Sequence, residues 1–253
     1  MEKNSGKGER DMKVGTIKEI IRHPVKSFGG ESVAETRLMS YGLYGDRSHA
    51  FLDTSRPGKF LTITQAPEMA TFSARFAGKE QDNMFPAVII RMPDGSSAKW
   101  GDPRVAGYLE SLTGKKTEQI QYSPKSIPLG PIEEEHLQLV SAASLRKLGE
   151  MRGREVDHRR FRANIILDIE GSVPFAEESW FGKKLIIGSG GSAIMIKRHC
   201  ERCQIITVDP EDAGKDAALL KMVAKERSNH FGVYASVVRT GPIRTGDAIY
   251  LAD

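Results

Sequence analysis

The stretch Lys197-Arg198-His199-Cys200-Glu201-Arg202-Cys203-Gln204-Ile205-Ile206-Thr207-Val208-Asp209-Pro210 holds both cysteines of the chain. An apolar, β-branched run, Ala193 to Ile196, leads into it, and Gln204 to Val208 has the composition of a second strand. The spacing therefore predicts two cysteines in a short loop between strands, crowded by Lys197, Arg198, His199 and Arg202. Nearby cations stabilise a thiolate, and a thiolate is both a nucleophile and a soft-metal ligand. Three uses of such a Cys-x-x-Cys remain open at this point. A structural zinc site needs four ligands, and no second pair exists. A thioredoxin-type pair belongs at the start of a helix, whereas a β-branched run follows here. Two inert buried cysteines are a common outcome for this residue type, but they do not need four basic neighbours.

Outward from this loop, short strands dominate. Val14–Ile21, Glu31–Leu38, His49–Leu52, Phe60–Ile63, Ala87–Met92, Leu137–Val140, Ile165–Ile169, Leu185–Ile187, Val233–Val238 and Ala248–Leu251 read as strands. Asp94-Gly95 marks a hairpin. Three helices are expected. The first follows Asp102-Pro103, with Val105, Leu109 and Leu112 on one face and Gly114 ending it. The second is capped by Ser141 or Ser144 and turns Leu145 and Leu148 inward. The third, Lys215–Arg227, buries Leu219, Leu220 and Val223. Many strands and few helices predict a mainly β, α+β architecture built on a barrel. Lys115–Pro131 is polar, aperiodic and rich in proline, so it reads as the linker between residues 12–118 and 119–253.

The 253 residues carry 37 basic and 33 acidic side chains, a net charge of only +4. That balance suits a small anionic ligand and gives no footprint for nucleic acid. No apolar run approaches the roughly 18 residues of a membrane span. Residues 1–11 lack the apolar core of an export signal and are expected to form a disordered leader. With two cysteines and no export signal, a reducing, cytoplasmic location is expected. Lys26 with Ser27, Arg47, and Arg162 with Asn164 all fall at loop–strand junctions. Arginine forks match phosphate oxygens, and lysine adds a point charge. Asp46 and Asp209 read as ordinary turn and strand-end residues.

Six segments in order give the chain a resemblance to a known family: His23-Pro-Val-Lys-Ser27, Gly42-Leu-Tyr-Gly-Asp-Arg47, Phe161-Arg-Ala-Asn-Ile165, Pro174-Phe-Ala-Glu-Glu-Ser-Trp180, Cys200 to Pro210, and Gly241-Pro-Ile-Arg-Thr-Gly-Asp247. On these residues the chain resembles MOSC proteins, the family of molybdenum-cofactor sulfurase C-terminal domains, with an N-terminal β-barrel-type module ahead of the MOSC domain. Within that family it is most similar to the amidoxime-reducing components. The resemblance implies a molybdenum cofactor (Mo-molybdopterin) whose metal takes one thiolate, Cys203, which is then also the catalytic position. Cofactor contacts would fall on Lys26, Ser27, Arg47, Arg162, Asn164 and Glu201. Ala163 stands where the family usually carries proline. The implied activity is reduction of N-hydroxylated compounds with electrons from a separate donor protein. Two cysteines cannot hold an iron–sulfur cluster, and no flavin fingerprint is present. The alternative is a non-catalytic module in which Cys203 carries a persulfide or shuttles the cofactor.

Overall fold

The computed structural model describes residues 12–252, so the expected leader lies outside the described residues. Seven strands close on themselves. In chain order they are β1 (Met12–Arg22), β2 (Leu137–Ser141), β3 (Ile165–Ile169), β4 (Lys184–Ile187), β5 (Ser192–Glu201), β6 (His230–Arg239) and β7 (Ala248–Ala252). Around the ring the order is β3-β2-β6-β5-β4-β7-β1, and a β1–β3 pairing closes it. All neighbours are antiparallel except β2 and β3. A parallel pair needs a crossover, and the helix α2 (Ala142–Arg152) supplies it. Ser141 is the cap: its Oγ accepts from the Ser144 backbone N–H at 3.0 Å. Closure leaves the barrel no unpaired edge, which a flat sheet would expose.

The alternation of each strand decides what fills the barrel. Leu139, Ile165, Leu167, Leu185, Ile194, Ile196, Val233 and Ala235 form the interior cluster. Their neighbours Val140 and Ile166 point outward, where Leu148 of α2 and Leu219 and Val223 of the helix α3 (Ala217–Arg227) cover them. The parallel pair is thus buried on both faces, which explains its continuous apolar sequence. A small sheet of Glu35–Met39, Gly42–Leu43 and Gly241–Arg244 adds Leu38, Leu43 and Ile243 to the interior cluster.

β1 is the first described strand, yet it belongs to this barrel, and the chain then leaves it for an N-terminal module. That module has its own core, centred on Phe28, Tyr44, Phe51, Leu61, Met69 and Phe72. It is framed by Ser73–Ala77, Ala87–Arg91 and Ser97–Lys99 in one sheet and by the pair His49–Asp53 with Thr117–Gln121. The helix α1 (Pro103–Thr113) packs Val105 and Leu109 into it. Its start is Asp102, whose carboxylate accepts from Arg104 N at 2.9 Å, and Gly114 at φ 68° ends it.

Five expectations change. Gln204–Val208 is not a strand: Gln204–Thr207 is a 3₁₀ turn. Ile205 and Val208 face the N-terminal core while Ile206 faces the outer helical layer, a period of three that fits this helix and not a ladder. Phe60–Ile63 forms only a single bridge, Leu52 to Phe60. Glu31–Leu38 divides at Ala34, because Glu31–Val33 pairs with β1 and Glu35–Met39 with Gly241–Arg244. The expected linker contains the strand Thr117–Gln121, polar in side chains but paired along its whole length with His49–Asp53. Leu112 is 41% exposed rather than buried.

β1 serves three ladders, with β3, β7 and Glu31–Val33, and bulges at Lys13/Gly15 and Ile17/Glu19 bend it between the first two. A Cβ on Gly15 would lie 2.2 Å from the Asp168 carbonyl oxygen across the closing pair. Gly15→Ala should therefore cost about 1–3 kcal/mol in urea unfolding. Gly107 in α1 has nothing within 4 Å of the same atom, so Gly107→Ala should stabilise by about 0.5–1 kcal/mol. Equal effects at the two positions would contradict this account of closure.

Candidate functional site

The site lies where the N-terminal module meets the open ends of β1, β2 and β3. Two loops of that module are stitched together there. Lys26 N donates to His49 O at 2.8 Å, His49 N to Pro24 O at 3.0 Å, and Arg47 N to His23 O at 2.6 Å. Asp46 ties both loops to the barrel. Its Oδ1 accepts from His23 N at 2.6 Å, and its Oδ2 accepts from Asn164 Nδ2 at 3.1 Å and from the Arg47 guanidinium. Asn164 in turn bridges strands: its Oδ1 accepts from Gln138 N at 3.1 Å, and its backbone oxygen accepts from Ile21 N at 2.8 Å.

Into the pocket this frames come all seven residues singled out in the sequence: Lys26, Ser27, Arg47, Arg162, Asn164, Glu201 and Cys203. Residues 115 or more positions apart are thus neighbours, with Arg47 Nη2 reaching the Arg162 carbonyl at 3.5 Å. Ser27, Arg47 and Arg162 have φ values of 71°, 55° and 56°. Non-glycine residues held in this left-handed region are strained, and such strain gathers at ligand sites. The Asn164 amide is engaged by protein groups, so it braces the pocket wall.

The two cysteines separate. Cys203 is exposed and opens the 3₁₀ turn, as a loop residue should. Cys200 is in β5, not in a loop, and is fully buried. The cation expected beside the reactive sulfur sits on Cys200 instead: Arg202 Nη1 donates to its Sγ at 2.7 Å and Nη2 to the Phe161 carbonyl at 3.0 Å. Arg198 turns away to Glu134, at 2.8 Å, and stacks on Tyr234. Among the described residues no group of three or more His, Cys, Asp or Glu side chains is placed to hold a metal.

Charge is concentrated in this pocket. Burial lowers the Lys26 ammonium below the usual lysine range; Glu133 opposes the shift, while Arg47 and Arg162 add to it. Burial and then Arg47 push Arg162 in the same direction. Arg162 Nη2 is buried with no hydrogen-bond partner. Burial alone would raise the Asp46 carboxyl, but Arg47 and the bonds from His23 hold it well below the carboxylate range. A cleft of about 690 Å³ adjoins the pocket and shares Ile63, Arg162 and Ile205 with it. Leu112, the helix residue that stayed exposed, lines this cleft.

Sequence reading passed over Asp46, Glu133 and Tyr234. Asp46 was legible only as a turn residue, although its adjacency to Arg47 hinted at a pair. Glu133 sits in an acidic run, Glu133-Glu134-Glu135, that resembles any solvated loop.

Residues 118–250 match the MOSC domain, and residues 14–101 match the MOSC N-terminal beta barrel domain. The chain belongs to the MOSC family. It is 26% identical over 291 residues to mitochondrial amidoxime reducing component 2 of Rattus norvegicus, covering 94% of this chain and 83% of that protein. It is 25% identical to the human component 2, covering 95% and 84%. The molybdenum cofactor sulfurase of Danio rerio is 26% identical over 90% of this chain but only 32% of its own length. Among solved structures, the YUAD protein from Bacillus subtilis superposes with a TM-score of 0.50 at 14% identity, over 94% and 95% of the two chains, a likeness of fold.

Two buried histidines beside the site give it a pH signature. Burial, Arg162 and Arg47 lower His23 to about 3 against the opposing Asp46, and burial lowers His49 to about 4. Both folded values lie below the unfolded histidine value near 6.5. The stability they contribute is therefore full above about pH 6.5 and is lost as pH falls toward 4. Urea unfolding should weaken over that window by about 1.4 kcal/mol per pH unit for each histidine. His23→Asn should show a shallower slope, and a flat profile in the parent would refute the assignment.

Proposed function

We propose that this MOSC chain binds a molybdenum–pterin cofactor and reduces N-hydroxylated compounds with electrons from a separate donor protein. The observation that carries the reading is the convergence of Lys26, Arg47 and Arg162 on one pocket, with Arg162 Nη2 unpaired and Cys203 lining the same pocket. Arg47 is paired with Asp46 and Lys26 with Glu133, whereas Arg162 makes no ion pair among the described residues; a buried cation is costly without a counter-anion, and a pterin's phosphate supplies one. The thiol suits a soft-ligated metal. The residues present therefore fit the cofactor that the curated relatives' names suggest.

In this reading Cys203 holds the metal, and Lys26, Arg47 and Arg162 hold the phosphate. Ser27 and Glu201 line the pterin's path, and Asn164 fixes the wall through Asp46. The adjoining cleft gives the room that the pocket lacks for pterin and substrate. When bound, the cofactor supplies the two-electron chemistry. The net change is R–NHOH + 2e⁻ + 2H⁺ → R–NH₂ + H₂O. In this reading the electrons arrive from another protein, since the two cysteines of this sequence are too few for an iron–sulfur cluster. Among the described residues no helix is long and apolar enough to cross a membrane. A cytoplasmic setting belongs to this proposal, since a reducing environment keeps Cys203 a free thiol.

Protein purified from a cofactor-competent host should reduce benzamidoxime with reduced viologen dye and fail with NADH alone. Cys203→Ser should abolish turnover. Cys200→Ser should retain most of it, because Cys200 is sealed behind Arg202 in the barrel wall. Equal loss in the two variants would point to a shared dithiol site. A molybdenum-loaded sample that consumes no dye-derived electrons with any N-hydroxylated compound, yet passes labelled persulfide from Cys203 to an acceptor, would establish the carrier reading instead.

A further inference from the structure

Glu133 is the one acidic side chain that reaches the ammonium of Lys26 among the described contacts. Lys26 Nζ donates to Glu133 Oε1 at 2.5 Å and to the Pro131 carbonyl at 3.0 Å. Both acceptors belong to one short segment, the helical turn Leu129–Ile132 and the residue that ends it. Lys26 itself is almost fully buried, whereas the Glu133 side chain is 49% exposed. The cation is thus fixed in the wall, and its counter-ion stands at the solvent side of the same pocket. Glu133 also has φ 88° and ψ −74°, a backbone conformation that non-glycine residues avoid.

We propose that Glu133 is a resident counter-anion at the phosphate site, and that a phosphate-bearing ligand displaces its carboxylate from Lys26. The inference rests on the phosphate-binding reading of Lys26, Arg47 and Arg162. Asp46 already pairs with Arg47, whereas Lys26 and Arg162 remain like charges in one buried pocket, and the half-exposed Glu133 carboxylate lowers that repulsion. Its charge also acts favourably on Arg162. A dianionic phosphate brings more charge and more acceptors than one carboxylate, so it wins the contact. The Pro131 carbonyl keeps its own bond to the ammonium, and Pro131 and Ile132 are buried, so the Glu133 side chain moves while the turn stays packed. A half-exposed carboxylate gives up little when it swings into water.

The test uses the full chain from a host that makes no pterin cofactor, titrated with inorganic phosphate and with pyrophosphate. Calorimetry should find that Glu133→Gln binds phosphate about tenfold more tightly than the parent, while Glu134→Gln, whose partner is Arg198, does not. In the parent, pyrophosphate should raise amide hydrogen exchange at residues 133–135 at least fivefold while leaving the buried turn and the barrel strands unchanged. This second readout needs no variant to fold. If parent and Glu133→Gln bind phosphate equally, or exchange in the segment falls on binding, the counter-anion is overturned and the phosphate site stands. Absence of phosphate and pyrophosphate binding in both proteins would overturn the phosphate site and the inference together.

Discussion

The Asp46 carboxylate is the interaction on which the rest of the site depends. It is 1% exposed and accepts from the backbone of His23, the amide of Asn164 and the guanidinium of Arg47. Those partners belong to the loop after β1, the residue before β3, and the turn that Asp46 shares. One buried anion therefore locks the two loops of the N-terminal module to the barrel. A buried charge is tolerable only when paired and hydrogen-bonded, and breaking such a set by removing one member typically costs about 3–5 kcal/mol. Lys26 and Ser27 follow within four residues of His23, so their positions are consequences of this knot. Asn164 reads the same way: its contribution to the pocket passes through Asp46 and Gln138.

The barrel supplies the rigid side of the pocket. Closure by β1 brings residues near the start of the described chain beside β3, so that Ile21 and Asn164 share a hydrogen bond across 143 positions of sequence. The crossover between β2 and β3 delivers Arg162 to the same rim, at the end of the turn His158–Phe161. β5 then runs out at Glu201 and places Cys203 opposite. Four segments meet at one rim, so the site's geometry is set by topology more than by any local motif.

Much of the fold was legible because its periodicities are strong. The alternation in β1 and the continuous apolar runs of β2 and β3 announce strands, and Asp102-Pro103 with Gly114 frames α1. What hid was decided by tertiary context. Thr117–Gln121 is polar but paired along its whole length, and Ile205-Ile206 is β-branched but must face two different cores within three residues. At the site, position at loop–strand junctions singles out Lys26, Arg47 and Arg162, and the fold brings the three to one pocket. The thiol environment did not follow from proximity in sequence. Arg202 is adjacent to Cys203 yet bonds to Cys200, because the strand-end geometry of β5 turns its side chain inward.

In the proposed function, three cations and one thiol of this pocket hold a molybdenum–pterin cofactor. The most direct measurement is the metal and pterin content of the chain purified from a cofactor-competent host, compared with Cys203→Ala. The account predicts molybdenum and pterin near one equivalent per chain in the parent and loss of the metal in the variant. Zinc in place of molybdenum, or equal molybdenum in both proteins, would contradict it.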